Sequence, residues 1–172
     1  MPVTFSVCSN IPDHTEPIHV VSKGDPQELV DEMVTIQLKH QTKASYLMRK
    51  KFEEVFNLLN QEIVKLEVHL ETPTEDDAYK LNEKRYKKMK SLLPSLSKYC
   101  DQLVVLGFNS QKYDVPLIRR YLPSSLERLD TIPSFVIKKN TAYMAISTQN
   151  LKILDICNYL AAGTSLIDFY KS

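Results

Sequence analysis

Glycine and cysteine are both scarce in this chain, with three of each among 172 residues. The cysteines (Cys8, Cys100 and Cys157) are odd in number and far apart, with no Cys-x-x-Cys or Cys/His pair. We therefore expect reduced thiols rather than a disulfide framework or a zinc site. Gly163 is isolated and does not form a glycine-rich phosphate loop. The four histidines are scattered without the spacing of metal ligands.

A charge excess of one sign is also missing, because 22 basic and 21 acidic residues leave a net charge of +1. Any binding to nucleic acid would therefore need a local patch. No stretch reaches the roughly 18 apolar residues of a membrane span, and residues 1–5 lack the charged start and apolar core of a signal peptide. We expect an intracellular, soluble protein of the nucleus or cytoplasm that is neither secreted nor bound to a membrane.

What is present is typical of a globular domain. Hydrophobic residues make up 43% and charged residues 25% of the chain, with no internal repeat and no low-complexity tract. A chain of 172 residues corresponds to one domain or part of one, and it is long enough to bury a core.

The first hundred residues combine a strand pair with a long helical region over about 25–99. Weak alternation predicts strands at 3–8 and 17–22, which form a hairpin. Asp25-Pro26 followed by Glu28 predicts a helix start. A second apolar stripe follows at Val55, Leu59, Ile63, Leu66 and Leu70. A further helix is predicted to begin at Thr72-Pro73-Thr74-Glu75, and Pro94 is predicted to kink or end it.

The remaining residues predict alternating strands and helices. In order, these are a strand at 102–107, a helix from about 114 to 121, a loop bounded by Pro123 and Pro133, a hairpin of 135–138 with 143–146, a strand at 151–156, and a loop with a short helix at 160–170. The whole order predicts an α/β domain with a mixed sheet.

The most informative stretch runs from Leu103 to Ile118 and reads LVVLGFNSQKYDVPLI. Its apolar start predicts a fully buried, central strand, and Gly107 marks the end of that strand. Asn109 and the pair Tyr113-Asp114 follow. One carboxylate is therefore placed just beyond the end of a strand, where open α/β sheets bind their ligands.

An asparagine, three residues and then Tyr-Asp after an apolar strand resembles the second exonuclease motif of family B DNA polymerases. The segment GFNSQKYDVPLI is most similar to the protein-primed branch found in viruses, plasmids and self-replicating transposons. VSKGDPQELVDEMV before it and LKILDICNYLAAGTSLIDFY after it resemble the flanking segments of these enzymes. The resemblance implies a ribonuclease-H-like exonuclease fold over 1–172, with a long helical insert at about 25–99.

The resemblance also implies a chemistry. Proofreading exonucleases cleave a phosphodiester with two divalent ions, Mg²⁺ or Mn²⁺, held about 4 Å apart by carboxylates. Asp114 corresponds to a catalytic carboxylate that binds metal. Asn109 and Tyr113 correspond to residues that hold the single-stranded primer end. The parent family is a DNA-directed DNA polymerase, a nucleotidyltransferase of DNA replication.

The departures from the family pattern are as informative as the match. No Asp-x-Glu lies on an apolar strand before Asp114, and the fourth residue after Tyr159 is Gly163 where the third motif has aspartate. Nothing resembles the polymerase palm motifs. We therefore expect a truncated exonuclease region, without its first strand and last helices, in which Asp114 is vestigial, no metal ion is bound and neither cleavage nor nucleotide transfer occurs. The sheet edge left bare by the missing strand favours self-association.

Other interpretations of the same residues remain open. Asp114 can cap a helix, Asn109 can satisfy its own turn, and Tyr113 can be a packed aromatic. The basic run between Lys80 and Lys90 is typical of a solvated, self-neutralising helix, with phosphate contact as the alternative. The whole chain can also be a non-catalytic interaction domain that binds a protein partner through its long helices.

Overall fold

The computed structural model describes residues 4–22, 24–71, 73, 76–108, 110, 114–130, 135–139, 142–161 and 163–171. The chain divides into two compact units. The first comprises Met1–Ala44 and Gln102–Ser172, and the second comprises Ser45–Asp101.

The described residues form helices and strands in the order that the sequence predicts, with one additional helix. The helices are α1 Pro26–Lys51, α2 Glu53–Leu70, α3 Asp77–Asp101, α4 Asp114–Ile118, α5 Leu122–Leu129 and α6 Leu166–Lys171, with a short 3₁₀ helix at Ile156–Tyr159. The strands are β1 Thr4–Val7, β2 Ile18–Val21, β3 Leu103–Gly107, β4 Phe135–Lys139, β5 Ala142–Ser147 and β6 Leu151–Asp155.

The predicted amino-terminal hairpin is confirmed, since β1 and β2 pair antiparallel from Thr4↔Val21 to Val7↔Ile18. The predicted start of α1 is also confirmed. The backbone N–H of Gln27 donates to Asp25 Oδ1 over 2.8 Å, so the aspartate caps the helix as its position before a proline suggests.

A mixed four-stranded sheet in the order β3-β6-β5-β4 forms the centre of the first unit. β3 and β6 are parallel, whereas β5 pairs antiparallel with both β6 and β4. The predicted α/β class with a mixed sheet is confirmed at this level, and so is the β4–β5 hairpin. The residues that join its strands, 140–141, lie outside the described part of the chain.

Helices α1, α4 and α5 pack on one face of this sheet. Spacing of four residues puts Val30 and Val34 on the same face of α1, where they are 2% and 0% exposed. They share a buried cluster with Val115, Leu122, Leu126, Ile146 and Leu151. Because side chains alternate along a strand, Val104 and Leu106 of β3 point to the opposite face of the sheet, and both are exposed.

The second unit is a pair of packed helices, α2 and α3, closed by a polar network at the carboxyl end of α3. Ile63 and Leu66 of α2 are buried, as is Cys100 of α3. The Asp101 carboxylate accepts hydrogen bonds from Ser45, Arg49 and Ser97, at 2.7 Å from Ser45 Oγ and 3.1 Å from Ser97 Oγ.

Prolines account for two departures from the predictions. Pro94 lies inside a helix and does not end it, because α3 continues to Asp101. Pro123 does not begin a loop, since it lies in the first turn of α5, where the missing N–H would have no partner in any case.

The other two departures concern α2 and α3. The apolar stripe of α2 is buried at Ile63 and Leu66, but Val55 is 42% exposed. Residues 72, 74 and 75 of the predicted start signal lie outside the described residues. Helix α3 begins at Asp77, where the preceding Asp76 accepts a hydrogen bond from the Tyr79 N–H at 2.6 Å.

Candidate functional site

The parallel pair β3 and β6 brings two acidic residues to one edge of the sheet. Gly107, the last residue of β3, pairs in register with Asp155, the last residue of β6. Asp114 then begins α4. Since parallel strands end at the same edge of a sheet, both carboxylates lie at or beyond the carboxyl ends of β3 and β6. This is the region where α/β proteins place their ligand sites.

Asp155 is a buried carboxylate with a structural partner. It is 1% exposed, and its Oδ1 accepts a hydrogen bond from the Cys157 N–H at 2.9 Å. It therefore caps the 3₁₀ helix that follows β6.

Asp114 lies close enough to Asp155 for the two charges to interact. Asp114 is exposed, but partial desolvation of its carboxyl group raises the pKa above its ordinary value of 3.8, and the negative charge of Asp155 raises it further. A backbone hydrogen bond opposes both effects without cancelling them. Ionised Asp114 is thus destabilised in the fold, and a proton or another positive charge at this position is stabilised.

The turn between β3 and α4 depends on a close backbone approach at Gly107. A β-carbon at Gly107 would lie 2.6 Å from Ser110 Cβ and 2.7 Å from Ser110 Oγ, so only glycine fits without displacement. The Val115 N–H donates to the Ser110 carbonyl over 2.9 Å, which closes this turn and sets the start of α4. Asn109 and Tyr113 stand between Gly107 and Asp114 in the sequence and lie outside the described residues.

A small depression lies beside these residues at the sheet edge. Ser110, Val115 and Asp155 line it together with apolar side chains of β5 and β6. It is too narrow to hold a water molecule. An ion or a nucleotide would therefore have to displace side chains before it could enter.

The donors at this edge do not amount to the two-ion centre of a proofreading nuclease. Within the described ranges, no group of three or more His, Cys, Asp and Glu side chains is placed to hold a metal ion. Asp114 and Asp155 are the carboxylates that the fold brings together here. Two ions with a full set of oxygen ligands do not fit this pair, and no cleavage step follows from it.

The basic run of α3 is largely neutralised by neighbouring acids. Lys87 Nζ lies 2.6 Å from Glu83 Oε1, and Lys90 Nζ lies 3.1 Å from Glu67 Oε1. Longer ion pairs of 3.9 Å join Lys80 to Asp77 and Arg85 to Glu62. These contacts agree with a solvated, self-neutralising helix, although the acids of α2 that take part were not foreseen.

Asp155 was not singled out from the sequence, and its proximity to Asp114 was missed. A signal for it existed: both residues follow apolar strands, and adjacent parallel strands would have to end together.

The fold also places the rings of His14 and His40 edge to face with centroids 5.3 Å apart. Burial lowers the pKa of His40, and a positive charge on His14 lowers it further.

Comparison of the chain with protein-family models, with curated proteins and with solved structures gives no match. Among the helices described here, none combines the length and apolar character that crossing a membrane requires.

Proposed function

We propose that this chain is the central part of a proofreading 3′–5′ exonuclease region, with a ribonuclease-H-like fold, from a protein-primed family B DNA polymerase. Its biological setting is then the DNA replication of a virus, plasmid or transposon. The chain alone contributes residues for holding a primer end but does not cleave DNA.

One observation carries this proposal: Asp114 follows the carboxyl end of β3, and its pKa is raised by partial desolvation and by Asp155 on the parallel neighbour β6. A helix cap with no other role would gain from staying ionised, because the amino end of a helix favours negative charge. A carboxyl whose pKa is raised instead is typical of sites that bind protons, ions or phosphate-linked ligands. The order of strands and helices in the first unit also supports the proposal.

The proposal assigns roles to three residues of the segment 109–114. Tyr113 stacks on or packs against the terminal base, Asn109 hydrogen-bonds the frayed strand, and Asp114 is the position of a metal-binding carboxylate that is vestigial here. We expect these residues alone to bind neither Mg²⁺ nor Mn²⁺ stably, since one accessible carboxylate does not replace the hydration shell of such an ion.

Fluorescence anisotropy with a short single-stranded oligonucleotide tests the primer-end role. We expect weak binding that Tyr113→Ala reduces at least 5-fold, because an aromatic–base stack is worth about 1–3 kcal/mol. Tyr46→Ala removes a tyrosine that is 61% exposed on α1 and serves as the matched control, with no loss expected. Equal losses for both variants would contradict the proposed role of Tyr113.

A nuclease assay tests the second half of the proposal. The purified chain with Mg²⁺ or Mn²⁺ should leave a labelled oligonucleotide intact. Metal-dependent shortening from the 3′ end that is abolished by Asp114→Ala and retained in Glu127→Gln, an exposed acid on α5, would overturn the claim of inactivity.

A second candidate function is binding of a protein partner through the helices of the second unit. The favouring observation is a set of exposed apolar side chains on α2, where Leu58, Val64 and Val68 are 61%, 58% and 60% exposed. The genomic sequence on both sides of the reading frame separates the two candidates. An upstream apolar strand with Asp-x-Glu and a downstream Tyr-x-x-x-Asp support the exonuclease, whereas flanks without either favour the interaction domain.

A further inference from the structure

Strand β3 is one end of the four-stranded sheet. In the described part of the chain it pairs with β6 along one side only. Its residues, Leu103–Gly107, carry no charge. The opposite end strand, β4, contains Lys138 and Lys139 and a shift of register at Ile137/Lys138. Lysines and irregular pairing are devices that keep sheet edges from pairing with other chains, and β3 has neither.

Alternate residues of β3 direct their backbone N–H and C=O groups toward β6 or toward the opposite side of the strand. The Leu103 N–H donates to the Asn150 carbonyl just before β6 over 2.7 Å, so Leu103 and every second residue after it face β6. By alternation, the N–H and C=O groups of Val104 and Leu106 point away from the sheet. Two donors and two acceptors are therefore available in one short row.

The side chains of the same two residues are exposed. Val104 is 50% and Leu106 is 57% exposed, on the face of the sheet opposite the helices of the buried core. The backbone groups and the apolar side chains thus present one continuous surface that is suited to a β-strand of the same character.

We propose that β3 pairs antiparallel with β3 of a second copy of this chain, across a two-fold axis at Val105, so that two four-stranded sheets become one sheet of eight strands. In this register Val104 lies opposite the partner's Leu106, and Leu106 lies opposite the partner's Val104. Both residues have outward backbone groups, so each of these pairs exchanges two hydrogen bonds.

A second copy fits this edge because the strand is complementary to itself. The exposed valine of one copy meets the exposed leucine of the other on the open face of the sheet. No like charges of β3 lie opposite each other across the two-fold axis. Strand β3 has only five residues, so the interface falls at the small end of specific contacts. A reversible dimer that forms at roughly tens of micromolar or above is the expected state.

Sedimentation of the intact chain tests the pairing. The average mass should rise from 19.8 kDa toward twice that value as concentration increases. Val104→Lys and Leu106→Lys should each weaken association at least 10-fold, because a lysine on an edge strand opposes pairing. Far-UV circular dichroism of dilute samples verifies that the variants fold, so that loss of association is not loss of structure.

Ile137→Lys is the matched control. Ile137 is 49% exposed and shares a row with Leu106 through Ala145 and Leu154, but it lies on β4 at the far side of the sheet. Edge pairing through β3 leaves its association unchanged. If Ile137→Lys dissociates the dimer as strongly as Leu106→Lys, the open faces stack on each other and edge pairing is wrong.

Mixed variants test the register. A chain with Val104→Lys and a chain with Leu106→Glu should each be largely monomeric alone but should form a heterodimer when mixed, because the introduced charges lie opposite each other. A mixture of Val104→Lys and Val104→Glu should not regain this association. Wild-type protein that stays monomeric to about 500 μM, far above the expected range, or equal recovery in both mixtures, would overturn the proposal.

Discussion

Replacing Gly107 by alanine should strain the turn that carries the candidate site. The new β-carbon would meet Ser110 Cβ at 2.6 Å and Oγ at 2.7 Å, about 1 Å inside an ordinary contact. Overpacking of this kind costs about 1–3 kcal/mol. Reduced freedom of the unfolded chain returns about 0.4–1 kcal/mol. These figures leave a net loss of about 0–2.6 kcal/mol in the free energy of unfolding. Because the obstructing Ser110 Cβ is fixed to the backbone, we expect a value in the upper half of that range, measured by urea denaturation.

A double-mutant cycle isolates the contact. In a Ser110→Gly background the obstructing atoms are gone, so Gly107→Ala should be neutral or slightly stabilising. Ser110→Ala retains the β-carbon and should retain most of the penalty. The reasoning is refuted if Gly107→Ala costs less than about 0.5 kcal/mol in the wild type, or if its cost is the same in the Ser110→Gly background.

Two further predictions concern carboxylates with opposite shifts of pKa. Because the pKa of Asp114 is raised, the folded state binds its proton more tightly than the unfolded state does, and stability is lost as pH rises above 3.8. Asp114→Asn should therefore be more stable than wild type at pH 7. Thermal unfolding should show no such gain near pH 3. Burial opposes ionisation of Asp31, but hydrogen bonds from Arg128, Ser125 and Gln27 outweigh it and lower the pKa. The ionised Asp31 carboxylate therefore stabilises the fold above pH 3.8, and this stabilisation is lost in more acidic solution. Asp31→Ala should cost about 1–3 kcal/mol at pH 7 by urea denaturation, and no difference between pH 7 and pH 2 would contradict this.

Local signals in the sequence were sufficient for much of the fold. The cap Asp25 before Pro26, the strand ending at Gly107 and the two hairpins each depend on neighbouring residues, and each was placed correctly. The expected full burial of that strand was wrong, because β3 is an end strand and exposes Val104 and Leu106. Prolines were misjudged because their effect depends on position within a helix. Pro123 is accommodated in a first turn, and α3 continues through Pro94 to Asp101.

The candidate site was predictable only in part, because it depends on strand pairing. Asp114 was identified from the motif that contains it. Its partner Asp155 is the last residue of β6, and only the parallel pairing of β6 with β3 brings the two together. The ion pairs that bind Lys90 and Arg85 to α2 are likewise products of helix packing rather than of spacing along α3.

The most direct test of the central claim is titration of the Asp114 carboxyl by carbon-detected NMR, in the wild type and in Asp155→Asn. Asparagine keeps an oxygen that can accept the Cys157 N–H hydrogen bond, so the cap is preserved. We predict a pKa above 3.8 in the wild type and a lower value in Asp155→Asn, since the charge that opposes ionisation is removed. A wild-type pKa at or below 3.8, or one that the substitution leaves unchanged, would show that β3 and β6 do not bring these two carboxylates together.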